Sequence, residues 1–265
     1  MSVSGTTLEM QALEYKEDYK RIKTILVSQI KPERSPYYDI EKKYDLTIDW
    51  RSFIYVEGVA EKDFRKNRIK ISDFSSVIFT SKNAIENFFR LAEEMRCKIS
   101  QDTKYFCITE SIANYLQKFI VYRKRKVFVG KKKIEDLNSY FMKHKAGEKF
   151  LLPCSNLGGE SYIPYLQNNG INFTEAVMYN TLSSDLSDLS DVTYDVLIFF
   201  SPQGIESLFE NFPDFKQNDT RFAVFGSQTL QAVLDKDLFA NIKAPTPEAP
   251  SMSMALEQYL LKSNI

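Results

Sequence analysis

The sequence predicts an α/β protein built as two similar parallel-sheet domains with a cleft between them. Short, continuously apolar runs recur along the chain, as in strands buried on both faces. Most are followed by apolar residues at three or four of the positions i, i+3, i+4 and i+7, which mark one face of a helix. The strand–turn–helix units of the first half recur in the second about 120 residues later, far too long a period for a solenoid and the right size for two small domains.

Residues 1–22 are polar and charged and read as a mobile leader or a surface helix. Ile25-Leu-Val27 opens the strand series, and Ser75-Ser-Val-Ile-Phe-Thr80 is clearer. Tyr105-Phe-Cys-Ile108, Lys126-Val-Phe-Val129, Phe150-Leu-Leu152, Asp195-Val-Leu-Ile-Phe-Phe200 and Phe222-Ala-Val-Phe225 follow. Helical faces come next in the chain: Ile85, Phe88, Phe89 and Ala92; Ile112, Leu116 and Phe119; Ile205, Leu208 and Phe209; Leu230, Val233 and Leu234. Strand then helix, repeated, argues for parallel sheets.

The repeat is explicit. Val77-Ile-Phe-Thr-Ser-Lys-Asn-Ala-Ile-Glu-Asn-Phe-Phe89 aligns with Leu197-Ile-Phe-Phe-Ser-Pro-Gln-Gly-Ile-Glu-Ser-Leu-Phe209 at an offset of 120. Phe106-Cys-Ile-Thr-Glu-Ser-Ile-Ala113 aligns with Ala223-Val-Phe-Gly-Ser-Gln-Thr-Leu230 at an offset of 117. More weakly, Ile25-Leu-Val-Ser28 matches Phe150-Leu-Leu-Pro153. A helix-like stretch and a second β segment follow each, Phe53-Ile-Tyr-Val56 and Ala176-Val-Met-Tyr179.

Composition narrows function by exclusion. The 35 Lys and Arg balance 35 Asp and Glu across 265 residues, so no global field points to nucleic acid. Nine glycines form neither a dinucleotide fingerprint nor a phosphate loop. The single histidine, His144, rules out sites built on two histidines, and its polar surroundings read as a solvated helix end. The three cysteines, Cys97, Cys107 and Cys154, contain no C-x-x-C pair and fit a reduced cytoplasmic protein. Residues 1–10 have no basic stretch and no apolar core and do not read as a signal peptide, and no apolar run is long enough to span a bilayer. The basic runs 122–126 and 131–133 sit among acidic residues and read as a solvated face.

Ligands of open parallel sheets bind beyond the carboxyl ends of the strands. Hydroxyls and amides occupy those places here: Thr80, Ser81, Asn83, Thr109, Ser111, Ser155, Ser201, Gln203, Ser227 and Thr229. Each can be a helix N-cap. Repeated in both halves beside helix N-termini, they also describe the edges of an anion-binding cleft.

Ile78-Phe-Thr-Ser-Lys-Asn-Ala84 resembles the strand–turn–helix motif in the first half of the uroporphyrinogen-III synthases. Phe200-Ser-Pro-Gln-Gly-Ile205, Phe225-Gly-Ser-Gln-Thr229 and Ala244-Pro-Thr-Pro-Glu248 resemble its second half, and Val177-Met-Tyr-Asn-Thr181 its Tyr-x-Thr segment. The resemblance covers most of the chain after about residue 23. It implies a discontinuous first domain (23–52 and 180–265), a second domain (58–173), and a two-stranded β-ribbon (53–59 and 173–179) joining them.

The resemblance also implies the reaction, cyclisation of hydroxymethylbilane to uroporphyrinogen III with loss of water and inversion of the last ring. No metal or cofactor takes part, and the expected partner is the small-molecule substrate, not nucleic acid or a membrane; two α/β domains around a cleft make a monomer the default. Tyr179 matches the tyrosine proposed to assist hydroxide departure, while packing at a domain junction would equally suit it. Thr80, Ser81, Ser201, Ser227 and Thr229 match positions that bind the substrate's acetate and propionate groups. Lys82, Asn83, Thr109, Ser111, Ser155 and Gly204 complete the candidate site. Where the family has Gly-x-x-Thr, the first half reads Thr109-Glu-Ser-Ile112, which brings the Glu110 carboxylate toward a site for a polycarboxylate. The rival reading is a non-catalytic, two-lobed module of the same fold that binds anions or tetrapyrroles, or acts in regulation.

Overall fold

The computed structural model describes residues 17–157, 162–190 and 192–264, so most of the polar leader, residues 1–16, lies outside the described residues. The chain divides into two units, Met1–Tyr55 with Ser183–Ile265, and Val56–Leu182.

In chain order, the first unit opens with β1 (Thr24–Val27), α1 (Tyr37–Tyr44) and β2 (Thr47–Trp50), and β3 (Ile54–Gly58) follows. The second unit then builds α2 (Glu61–Phe64), β4 (Ser76–Phe79), α3 (Lys82–Glu94), β5 (Lys104–Cys107) and α4 (Glu110–Leu116). It continues with β6 (Val127–Val129), α5 (Asn138–His144), β7 (Phe150–Ser155), α6 (Ile163–Asn168) and β8 (Phe173–Ser183). The chain closes the first unit with β9 (Val196–Phe199), α7 (Pro202–Asn211), β10 (Arg221–Phe225), α8 (Ser227–Leu234), β11 (Ala240–Ala244) and α9 (Met252–Ser263).

The first sheet has the order β11-β10-β9-β1-β2, and every pairing in it is parallel. The second has the order β6-β5-β4-β7-β8, with β3 added beyond β8. The two five-strand layouts coincide, β9 with β4, β10 with β5 and β1 with β7, which are the pairs that the internal repeat aligns. Only the chain order is permuted. The two parallel-sheet α/β units expected from the sequence are therefore present.

Strand alternation divides the first unit's core into two layers. Ile25, Val27, Val196 and Ile198 pack with α1 and α9 residues such as Ile40 and Leu256. Leu26, Leu197, Phe199 and Phe222 pack with Ile205, Leu208 and Val233 of α7 and α8. The helices after β1 and β9 thus cover opposite faces. In the second unit, Phe106 is fully buried among Phe128, Phe141 and Phe150, with ring centroids 4.7–5.1 Å away. Burying one such side chain contributes about 1.5–3 kcal/mol.

Three local expectations are corrected. The β segment expected at Phe53–Val56 is present as β3, but it does not join the first sheet, whose strand after the first helix is Thr47-Ile-Asp-Trp50, with the single apolar face of an edge. Residues 54–58 instead pair with β8, bracketed by Ser184 N–H to Phe53 O (2.9 Å) and Val59 N–H to Met178 O (3.0 Å), so one index rises as the other falls. Residues 173–179 are more than a ribbon, because they also pair in parallel with β7 from Phe150↔Phe173 to Ser155↔Tyr179. Phe119 leaves the helical face of Ile112 and Leu116: the chain tightens to i→i+3 bonds after α4, and the half-exposed ring stacks on Phe89 at 4.9 Å.

Candidate functional site

In the second unit, strand order runs outward in opposite directions from the β4/β7 pair. The crevice beyond their carboxyl ends is the usual ligand position of such a sheet. Thr80 and Ser81 leave β4 there. Ser81 is extended (φ −153°, ψ 164°) and caps α3, its Oγ accepting from the Ala84 N–H at 3.0 Å. Across the crevice Ser155 ends β7, with Tyr179 of β8 as its register partner after a bulge.

The Tyr179 ring is buried, and its hydroxyl lies 3.1 Å from Ser81 Oγ. Burial pushes the phenol above its ordinary value, and the Ser81 hydrogen bond pulls it only partly back. At neutral pH Tyr179 is therefore a protonated hydrogen-bond donor. The neighbouring Cys154 thiol is pushed up to about 11, mainly by burial, so it too is neutral.

Residues that the sequence did not single out hold this strand end. Asn156 donates its N–H to Tyr179 O at 3.1 Å and accepts from the Thr181 N–H at 2.8 Å. Arg90 donates to Val59 O at 2.8 Å and more weakly to Met178 O at 3.4 Å. Gly58 leaves room for that guanidinium, since a Cβ there would lie 2.6 Å from it. Arg90 reads in sequence as an ordinary solvated helix residue, and nothing local marks its reach to another strand.

The other candidates in this unit are less concentrated. Ser155 Oγ accepts from the Leu157 N–H at 3.3 Å. Thr109 caps α4 by accepting from the Ile112 N–H at 3.3 Å, and Ser111 is exposed beside the exposed Glu110. The exposed Lys82 ammonium sits 5.5 Å from the Tyr115 ring, whose hydroxyl donates to Glu86. Asn83 is half-buried, and its carbonyl accepts from Asn87 at 3.0 Å.

The first unit repeats the capping pattern. Ser201 accepts from the Gly204 N–H at 3.3 Å, with Pro202 starting α7 where an N–H is dispensable. Gly204 is a packing position, because a Cβ there would lie 3.1 Å from the Phe199 ring. Its other neighbour is Ser28, another hydroxyl at the carboxyl end of β1. Ser227 is exposed at the start of α8, whereas Thr229 is 2% exposed, in the place that Ile112 takes in the other unit. Gly226 has φ +88°, a value the aligned Thr109 does not adopt (φ −140°). The two copies thus start this helix by different means.

The remaining sequence features have structural occupations. Asp136 Oδ2 accepts from the N–H groups of Lys131, Lys132 and Lys133 at 2.8–3.1 Å, filling the nest that an external anion would need. Those bonds hold its carboxyl below the usual range. Lys126 pairs with Asp102 at 2.5 Å. His144 corrects the solvated reading: it is half-buried, 4.9 Å from the Phe128 ring, and burial lowers its pKa.

A cavity of about 480 Å³ lies at the amino-terminal ends of the first sheet's strands, between Leu26, Phe53, Leu197 and Phe215, and no candidate residue lines it. Among the described residues, no group of three His, Cys, Asp or Glu side chains could hold a metal, and no helix is long and apolar enough to cross a membrane.

Residues 47–253 match the family model described as uroporphyrinogen-III synthase HemD. No curated protein sequence matches significantly. Among solved structures, a uroporphyrinogen-III synthetase from Helicobacter pylori is 18% identical with a TM-score of 0.60, covering 91% of this chain and 100% of its own. A mutant uroporphyrinogen III synthase from Thermus thermophilus is 13% identical, also with a TM-score of 0.60, covering 91% of this chain and 99% of its own. At such identities the likeness establishes the fold.

Proposed function

The chain belongs to the uroporphyrinogen-III synthase family of haem biosynthesis, and from that premise we propose that it acts as a cyclising lyase on hydroxymethylbilane. The observation that carries this reading is a buried, protonated Tyr179 phenol beside Ser81 at the carboxyl ends of β4, β7 and β8.

The electron pair that expels the substrate's terminal hydroxyl comes from the adjoining pyrrole nitrogen, so the protein need supply little chemical force. Tyr179 donates a hydrogen bond to the departing oxygen, and the hydroxide leaves together with the pyrrole N–H proton as one water, which yields a neutral azafulvene. The substituted carbon of the last ring attacks that electrophile to give a spiro intermediate, and rearrangement inverts the ring before closure. Holding the chain in the reactive conformation and excluding water contribute more than proton transfer does. A phenol whose pKa is raised is suited to this role, because it stays a neutral donor instead of placing a phenolate beside a carboxylate-rich substrate.

Thr80, Ser81, Asn83, Thr109, Ser111, Ser155, Ser201, Ser227 and Thr229 are proposed to receive the acetate and propionate groups through O–H, side-chain amide or helix N-terminal N–H donors, with Lys82 adding charge and the Gly204 backbone lying at the start of α7. Capping uses a lone pair of Ser81, Thr109 and Ser201 but leaves each hydroxyl proton to donate. The unpaired Cys97, Cys107 and Cys154 thiols support a reducing, cytoplasmic setting. We take the monomer as the working form.

The test is direct. Freshly made hydroxymethylbilane is supplied, and the products are oxidised and separated by isomer. The type III isomer is expected to form faster than the spontaneous reaction. Type I alone, at the spontaneous rate, overturns the enzyme reading in favour of the binding module.

A further inference from the structure

We propose that Ser81 is a positioning residue for Tyr179, donating its hydroxyl proton to the phenol oxygen so that the phenol proton is turned toward the leaving hydroxyl. This role rests on the reading of Tyr179 given above and takes the place of the carboxylate-binding role given to Ser81 there, because its single hydroxyl proton serves one acceptor.

Three observations carry it. Ser81 Oγ already accepts the Ala84 N–H at 3.0 Å, at the N-terminus of the 13-residue α3. An oxygen that accepts there becomes a stronger donor through its own O–H, because linked hydrogen bonds polarise one another. The Tyr179 oxygen lies 3.1 Å from Ser81 Oγ, and either atom of the pair can be the donor. Finally, Tyr179 is only 7% exposed, so little water competes to orient its hydroxyl. The chain runs from Ala84 N–H to Ser81 O–H, then to Tyr179 O–H and the substrate.

The internal repeat provides a comparison within the molecule. Ser201 holds the same place in the first unit, with the same extended backbone (φ −152°, ψ 154°) and the same bond from the third residue on. Capping is therefore common to both copies, whereas the recorded contact with a tyrosine hydroxyl belongs to Ser81. Both groups are set by secondary structure, Ser81 by the start of α3 and Tyr179 by its pairing on β8.

The test separates the hydroxyl from the cap. Gly caps almost as well as Ser but has no hydroxyl, so Ser81→Gly removes the proposed donor and leaves the helix start nearly intact. The expected result is a fall in kcat of roughly 3- to 10-fold, the worth of one neutral hydrogen bond, with little change in KM. Ser81→Thr should restore most of the rate. On a Tyr179→Phe background, Ser81→Gly should cost nothing further. In protein labelled at the tyrosine ¹³Cζ, the Tyr179 signal, assigned by its loss in Tyr179→Phe, should move on Ser81→Gly without substrate present. A raised KM at unchanged kcat, an equal loss on both backgrounds, or an unmoved ¹³Cζ signal would overturn the proposal. If wild type forms only the type I isomer, the functional reading fails, while the ¹³Cζ signal still decides whether Ser81 orients the phenol.

Discussion

Tyr179→Phe removes one oxygen and keeps the ring that fills the strand end. In the resting protein the loss is the hydrogen bond with Ser81, worth about 0.5–1.5 kcal/mol. Ser81 keeps its bond to the Ala84 N–H and, being half-buried, can turn its proton to water, so no buried group is orphaned. Thermal unfolding should therefore shift by only a few degrees. The reaction loses a donor to an oxygen that gathers negative charge as it departs. Hydrogen bonds to charged groups are worth about 1.5–3 kcal/mol, so kcat should fall roughly 10- to 150-fold. The assay is initial-rate formation of uroporphyrinogen III, read as the oxidised type III isomer, with a melting curve on the same sample. Residual product should still be type III, since the fold of the bound substrate selects the isomer. A wild-type rate at unchanged stability would refute the donor role and leave Tyr179 as a packing residue.

Further outcomes follow from the same geometry. Phe106→Ala empties a fully buried site against three aromatic rings and should cost about 3–5 kcal/mol in denaturant unfolding; a cost below 1 kcal/mol would mean that the cluster is loosely packed. For Glu148, burial raises the carboxyl, but bonds from Lys104, Ser75 and Ser76 outweigh it and hold the carboxyl low. Its contribution is then full above the unfolded value of ~4.3 and lost as pH falls through the lower folded value. Glu148→Gln should lower stability at pH 7 yet converge with wild type in strong acid, and a constant gap across that range would contradict the pairing. A thiol reagent should modify half-buried Cys97 slowly in the native protein. Cys107, pushed up to about 12 by burial, and Cys154 should react only after unfolding.

The sequence by itself determined the α/β class, the two-copy plan and most strands of the two sheets, because strands buried on both faces must be continuously apolar, as Val196-Leu-Ile-Phe199 is. It also located the helix starts, since Ser81, Thr109 and Ser201 satisfy N–H groups that any helix leaves open. Edge strands were harder to read. Thr47–Trp50 and Ala240–Ala244 bury one face, so their alternation resembles that of surface loops.

Tertiary structure alone decided which capping hydroxyl meets a phenol. Ser81 and Ser201 are both serines in the same local conformation, and each caps its helix in the same way. The difference is made 98 residues away along the chain, where β8 pairs with β7 and brings Tyr179 to Ser81. The reach of Arg90 to the β8 backbone is of the same kind. Local sequence fixes a residue's backbone state through steric and hydrogen-bonding needs that close within a few residues. A side chain's partner is set by the register of strands far apart in sequence, which only the folded sheet specifies.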